Sequence, residues 1–386
     1  MSKRVLIVAM SVGGGHGKAG QAIATAIQAL APDCEVRSID LRDHAARWFR
    51  TVYVAGYLFI IRHAPWVWGW LYRHPPKRGG TMPPWLLKRS LRPFEKLVRD
   101  WQPDAILATQ LTASEAAAAL RARGIHRGVA VTVVTDFDAH PSWRSDQIDL
   151  FFVPDEDIRR RLVGTGIPAD RLVATGVPID PVFEKPFDAA ALKAKHGLRP
   201  GVPVVLLMGG SLGLGPMEAG VRDLLASGRP MELLVVAGHN ARLRERLDAL
   251  VAQASRLWPT GEGRLHAFGF VDFVAELMAV SDLFVSKPGG LSMTEAVTLG
   301  VPTLAIAPLA GQEVANGRHL AAQGVVDLPL PGESLAAGVE RLLADAPARE
   351  RLAAAARAYA PRGPARHIAQ RLTELMEQGS SASSGP

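Results

Sequence analysis

Short apolar runs recur through the first half of the chain, at Arg4 to Met10, Ala105 to Ala108, Val129 to Val134 and Leu150 to Val153. Between them lie stretches with helical spacing, such as Lys18 to Leu30 and Thr112 to Arg123. Continuous apolar runs of strand length imply burial on both faces, and their alternation with helices predicts a parallel sheet covered by helices on each side. The rhythm pauses in a proline-rich stretch from Thr175 to Pro186 and restarts with Val204 to Met208, Glu232 to Val236, Leu283 to Val285 and Thr303 to Ala307. Two similar α/β halves follow from that restart. The expected organisation is 1–184 and 185–361 as domains, 362–378 as a C-terminal helix packing back on the first, and 379–386, small and polar, as a disordered tail.

Each half opens with a strand that runs into glycines. The first cluster is Gly13-Gly14-Gly15-His16-Gly17, and the second runs from Gly209 to Gly215. A glycine turn between strand and helix brings backbone N–H groups and the positive end of the helix dipole close to an anion. The first cluster is not a P-loop, because Lys18 precedes Ala19 and Val12 stands where the leading glycine belongs; nor is it read as a dinucleotide fingerprint. Close packing of strand on helix competes with phosphate binding here. His16 tips the balance toward chemistry, since an imidazole at the mouth of such a loop can take a proton near neutral pH; a helix cap or surface histidine is the plainer alternative.

The densest signal lies between Asp282 and Gly324. Ser286-Lys287-Pro288-Gly289-Gly290 turns sharply from strand to helix, a form suited to a diphosphate. Glu295 follows early in that helix, where an acid complements the dipole by about 0.3 to 1 kcal/mol or grips a ribose diol. Gln312, Glu313 and Asn316 cluster at a loop-to-helix junction, placed for sugar hydroxyls or for helix capping.

Composition narrows the class. With 386 residues, 48% apolar and 21% charged, the chain is an ordinary two-domain globular protein, which excludes disorder and collagen. Its one cysteine, Cys34, excludes an intrachain disulfide and a zinc knuckle and fits a reducing compartment. No uncharged stretch is long enough to span a bilayer; the longest candidate, Val52 to Ile61, stops at Arg62-His63 and Pro65. The net charge of +7 is local: from His44 to Phe94 there are nine Lys or Arg and no acid, so the remainder sums to −2. The same stretch holds Trp48, Phe49, Tyr53, Tyr57, Phe59, Trp66, Trp68, Trp70, Tyr72 and Trp85, including five of the eight tryptophans.

The motifs together resemble the bacterial processive diacylglycerol glycosyltransferases and plant monogalactosyldiacylglycerol synthases, relatives of the peptidoglycan N-acetylglucosaminyltransferase. The resemblance rests on the Gly13 to His16 loop, Thr135-Asp136-Phe137-Asp138-Ala139-His140-Pro141-Ser142-Trp143, Gly166-Ile167-Pro168, Gly176-Val177-Pro178-Ile179, Gly209-Gly210-Ser211, Gly238-His239-Asn240, Lys287 to Glu295 and Gly311 to Asn316. It implies an α/β fold of the GT-B type, two Rossmann-like domains facing a central cleft, and transfer of a hexose from a UDP-sugar to diacylglycerol with inversion and without a metal or other cofactor. It further implies that Glu295 holds the ribose, that Gly210, Ser211, Gly289 and Gly290 hold the diphosphate, that Phe270 lies near the uracil, and that Gln312, Glu313 and Asn316 bind the sugar. His16 is implied as base or acceptor-positioning group, with Asp136 as the alternative base or the group that orients it.

An enzyme acting on an acceptor with two acyl chains must reach a membrane surface, and residues 44–94 have what that needs. Tryptophan and tyrosine favour the headgroup layer, and each Lys or Arg near an anionic surface contributes about 1 kcal/mol. Apolar side chains from Phe49 through Val52, Tyr53 and Ile60 suggest an interfacial amphipathic helix. The stretch Tyr57 to Tyr72 is similar to the family's acceptor region, making Tyr57, Arg62, Trp66, Trp68, Trp70 and Tyr72 candidates for acceptor and membrane contact. Anionic lipids are the expected partners, nucleic acid is not, and the expected location is cytoplasmic and peripheral, on the inner face of the cell membrane. The competing readings are an N-domain core role for the aromatics, a different lipid-linked acceptor, and a UDP-sugar sensor without turnover.

Overall fold

The computed structural model describes the chain apart from residues 1, 11–13, 50–55, 57–58, 61–62, 75–83, 214, 259–262, 307–310 and 384–386. It divides into two compact units. The first comprises Met1–Asp180, Ala310–Gln312 and Pro361–Pro386; the second comprises Pro181–Leu309 and Glu313–Ala360. The first division therefore falls four residues before the expected 184/185 boundary.

Unit 1 is built on six parallel strands: β1 (Arg4–Ala9), β2 (Glu35–Asp40), β3 (Ala105–Ala108), β4 (Val129–Val133), β5 (Leu150–Val153) and β6 (Leu172–Ala174). Their order is β2-β1-β3-β4-β5-β6. The chain leaves β1 in one direction to form β2 and then crosses back to β3 on the other side. The crevice at the carboxyl ends of β1 and β3 is thus the topological switch point, where ligands of open α/β sheets bind. The central strands are buried on both faces, Val5 to Val8 and Ala105 to Ala108 being almost wholly inaccessible.

Helix α1 (Gly15–Leu30) covers one face of this sheet through Ala19, Ala22, Ile23, Ala24 and Ile27. It begins three residues before the expected Lys18, so His16 stands in its first turn rather than in a loop. The spacing G-x-G-x-x-G is in fact present as Gly15-His16-Gly17-Lys18-Ala19-Gly20, contrary to the sequence expectation. These glycines lie inside the helix, however, and a Cβ on Gly20 would approach Ile7 Cγ2 to 2.9 Å. Gly20 is a packing glycine that seats α1 tightly on β1.

The C-terminal helix, α5 (Pro364–Ser383), buries Ala365, Ile368, Ala369, Leu372 and Met376 in the same core as Ile7, Ile23 and Ile27. Their spacing of three or four residues marks one helical face. The helix continues through 379–383, the first part of the segment expected to be a disordered tail. No proline interrupts it there, and extending an already docked helix needs no new nucleus.

Unit 2 contains five parallel strands, β7 (Val204–Met208), β8 (Glu232–Val236), β9 (Arg264–Phe268), β10 (Leu283–Ser286) and β11 (Thr303–Ala305), in the order β11-β10-β7-β8-β9. Here the order reverses between β7 and β10. The two sequence motifs richest in glycine follow those two strands, so the switch point and the glycine signals coincide. Among the described residues no helix is long and apolar enough to cross a membrane.

Candidate functional site

In unit 1, His16 is held by the ends of two neighbouring strands. Gly14, with φ of +76°, makes the left-handed turn that lets α1 start at Gly15. The Thr109 hydroxyl, just beyond β3, donates to the His16 carbonyl at 2.9 Å. The Thr135 hydroxyl, beyond β4, lies 2.9 Å from His16 Nδ1. Burial pushes the imidazole pKa below its ordinary value, while the neighbouring Asp136 carboxylate and a separate interaction of the ring with the Thr109 backbone pull it partly back. The ring is consequently neutral near pH 7, with Nδ1 engaged by Thr135; when Nδ1 carries the hydrogen of that bond, Nε2 holds the lone pair.

The 135–143 loop reaches from His16 to the aromatic segment. Phe137 and Trp143 are buried anchors, and His140 Nδ1 accepts from the Ser142 N–H at 3.2 Å. Helix α2 (Pro65–Arg73) lies against this loop. The Tyr72 hydroxyl donates to Asp138 Oδ2, His140 Nε2 donates to the Tyr72 carbonyl at 2.8 Å, and the two rings sit 4.4 Å apart. Burial and the Asp138 carboxylate push the Tyr72 phenol far above its usual range, so the hydroxyl stays protonated.

The candidate acceptor residues therefore separate. Trp66 and Trp70 are 75% and 54% exposed, whereas Trp68 is half-buried and Tyr72 is tied to Asp138. Tyr57 and Arg62 lie outside the described residues. Phe49, expected on an interfacial helix, is only 2% exposed and packs with Leu41, Leu87 and Phe94 in the unit 1 core. The core reading is correct for it, because the ends of the 44–94 segment pack on the sheet while Phe59, Trp66, Trp70 and Trp85 remain exposed.

In unit 2, the loops after β7 and β10 meet. Helix α3 (Gly290–Leu299) starts directly after Gly289, with no side chain capping its N-terminus and no acid in its first turn. Its first N–H groups are thus available to an anion, with the positive end of the helix dipole behind them. A Cβ on Gly210 would stand 3.2 Å from Lys287 Cε, which places that lysine's stem beside the β7 glycine loop. Ser211 is half-buried in the same loop, and its carbonyl accepts from the His239 N–H at 2.8 Å. His239 in turn stacks on Phe270, 4.2 Å between ring centres and 13° between planes. Phe270 is 50% exposed, so this pair forms an aromatic ledge beside the glycine loop.

The remaining sugar-site candidates sit on or beside α4 (Gln312–Ala322). Glu313 pairs with the Lys287 ammonium, and the wholly buried Asn316 donates from Nδ2 to the Pro288 carbonyl at 3.1 Å. Both side chains therefore brace the turn between β10 and α3. Gln312 Oε1 is buried and has no hydrogen-bond partner among the described residues. Glu295 is 5% exposed within α3. Lys287, His239, Thr109 and Thr135 are the functional neighbours that no role was read for in the sequence. Among the described residues no group of three or more His, Cys, Asp or Glu is arranged to hold a metal.

Comparison with known proteins agrees with this architecture. Residues 16–179 match the family model for monogalactosyldiacylglycerol (MGDG) synthase. A processive diacylglycerol beta-glucosyltransferase of Bacillus subtilis is 29% identical over 213 residues, 55% of this chain and 54% of that protein. A probable chloroplastic monogalactosyldiacylglycerol synthase of Glycine max is 28% identical over 342 residues, 83% of this chain and 62% of that one. The chain thus spans only between about half and two thirds of these relatives. Among solved structures, MurG of Acinetobacter baumannii superposes with a TM-score of 0.62 at 17% identity, covering 96% of this chain and 99% of that one. The UDP complex of S. aureus MnaA gives 0.62 at 13% identity, covering 97% of each. The chain is thus similar over part of its length to the diacylglycerol glycosyltransferases and monogalactosyldiacylglycerol synthases, and it is built on the two Rossmann-like units of the GT-B fold.

Proposed function

We propose that the protein is an inverting glycosyltransferase that moves a hexose from a UDP-sugar to diacylglycerol at a membrane surface. The observation that carries this reading is the coincidence of each unit's chemistry with its own switch point: a half-buried histidine held by Thr135 in unit 1 and an uncapped helix N-terminus beside Lys287 in unit 2. The relatives' names supply the acceptor, and one fold neighbour was solved with UDP.

In this mechanism the acceptor hydroxyl attacks the anomeric carbon from the face opposite the diphosphate. His16 Nε2 takes the hydroxyl proton as the new C–O bond forms and the bond to the diphosphate oxygen breaks. The Asp136 carboxylate stabilises the imidazolium that results. Charge gathering on the departing diphosphate is met by the α3 N-terminus, by backbone N–H groups of the Gly210–Ser211 turn, and by Lys287. Those groups provide the positive field in place of a metal ion, so turnover is expected to survive EDTA. The His239–Phe270 ledge supports the base, Glu295 the ribose, and Gln312 with the braced α4 start the sugar.

The test is release of UDP from UDP-glucose, UDP-galactose and UDP-glucuronate with and without diacylglycerol. Release that depends on the lipid, with a matching glycolipid by mass spectrometry, is the expected result. UDP-sugar binding without release would overturn the reading in favour of a sensor.

A further inference from the structure

Two faces of α2 carry different chemistry. Trp66 and Trp70, four residues apart, share one side with Arg73, and all three are exposed. Trp68 and Tyr72, also four apart, lie on the other side, half-buried. Exposed tryptophans beside a cation, within a segment that has no acid from His44 to Phe94, fit the headgroup region of an anionic bilayer. The opposite face grips the loop that leads to His16.

That grip has three points, all on Tyr72. Its hydroxyl donates to Asp138 Oδ2, its carbonyl accepts from His140 Nε2, and its ring packs on the His140 ring. Each loop residue is fixed from behind. Asp138 Oδ1 takes Arg161 Nη2 at 3.4 Å, and His140 Nδ1 takes the Ser142 N–H. Between the grip and His16 there are only two residues, Asp136 and the buried Phe137, before Thr135 and its contact with Nδ1. A shift of α2 is thereby carried within a few bonds to the hydroxyl that sets the imidazole's orientation.

We propose that Tyr72, Asp138 and His140 form a positioning clamp through which α2, seated in a lipid surface by Trp66 and Trp70, orders the 135–143 loop that holds His16. The proposal rests on the membrane-surface reading above. It makes Tyr72 and Asp138 positioning residues, acting through Thr135 and Asp136 rather than on substrate. Seating α2 narrows the motions of the loop, so His16 is fully placed only when the enzyme is on the bilayer.

The experiment is amide hydrogen exchange over residues 135–143, with and without vesicles of phosphatidylglycerol, phosphatidylcholine and diacylglycerol, in the wild type, Tyr72→Phe and the double variant Trp66→Ala, Trp70→Ala. Vesicles should slow exchange of this loop in the wild type about tenfold, the equivalent of one charge-assisted hydrogen bond gained. Tyr72→Phe should still sediment with vesicles yet lose that slowing, and its kcat on vesicle diacylglycerol should fall about tenfold with the UDP-sugar KM unchanged. Asp138→Asn, whose amide oxygen still accepts from Tyr72, should recover part of both. The double tryptophan variant should lose the slowing, and at high salt its sedimentation as well. Equal slowing in wild type and Tyr72→Phe, or none in the wild type, overturns the clamp. Absence of lipid-dependent UDP release in the wild type overturns the proposed function instead, and the exchange data still decide the clamp.

Discussion

His16 combines two opposed influences, and their balance gives a signed prediction. Burial lowers its pKa and the Asp136 carboxylate raises it. A base must be unprotonated, so kcat/KM should fall on the acid side with a midpoint below the ordinary histidine value of about 6.5. Asp136→Asn removes the raising influence, so the acid limb should move to still lower pH while the plateau drops. A limb that stays put or moves toward alkaline pH would show that Asp136 does not act on His16. His16→Ala should cost roughly 10²- to 10⁴-fold in kcat with little change in UDP-sugar KM, the usual range for a lost general base. Near wild-type turnover in that variant would remove His16 from the mechanism. A lone histidine in a glycine cluster was visible from the sequence; Thr109 and Thr135, which make it usable, were not. They come from strands far along the chain and meet His16 only because β1, β3 and β4 are neighbours in the sheet.

At the scale of elements, the donor unit depends on two loops that interlock backbone against backbone. Gly238 has φ of +60°, and a Cβ there would lie 2.3 Å from the Ser211 carbonyl oxygen. Alanine at this position combines left-handed strain of about 1–2 kcal/mol with a collision against the glycine loop that precedes the candidate diphosphate site. Gly228 has a similar φ of +69° with open space around it, so Gly228→Ala isolates the strain alone. Gly238→Ala should therefore unfold at lower temperature than Gly228→Ala and bind UDP more weakly by calorimetry. Equal UDP affinity in the two variants would count against the loop's role. The same elements explain what the sequence revealed. Strands β3, β5, β7 and β8 were legible to the residue, because strands buried on both faces are written as solid apolar runs. The sheet edges β2, β6 and β9 went unread. β2, Glu35-Val36-Arg37-Ser38-Ile39-Asp40, is partly exposed throughout, and β6 has only three residues. Lys287 was visible as a letter in a motif, but its pairing with Glu313 and its place beside Gly210 depend on β7 and β10 being adjacent.

For the whole molecule, the +9 segment in a chain whose remainder is −2 predicts a docking face, and the exposures of its aromatics divide that docking into two parts. The cationic part acts through the field of anionic lipid and reaches only about 8 Å at physiological ionic strength. The aromatic part, Phe59, Trp66, Trp70 and Trp85, acts by burial and is insensitive to salt. Sedimentation should accordingly be stronger with phosphatidylglycerol vesicles than with phosphatidylcholine vesicles at low salt, and the difference should shrink as salt rises. What remains at high salt should be similar for both lipids and should disappear in the Trp66→Ala, Trp70→Ala variant. Charge reversal within the segment, as in Lys88→Glu with Arg89→Glu, should do the opposite, removing the preference for anionic lipid and leaving the salt-resistant part intact. If salt abolished all binding, the tryptophans would not enter the bilayer, and α2 would have no seat from which to act on the 135–143 loop. Equal binding to both lipids at low salt would instead reduce the segment's charge to a solvated surface.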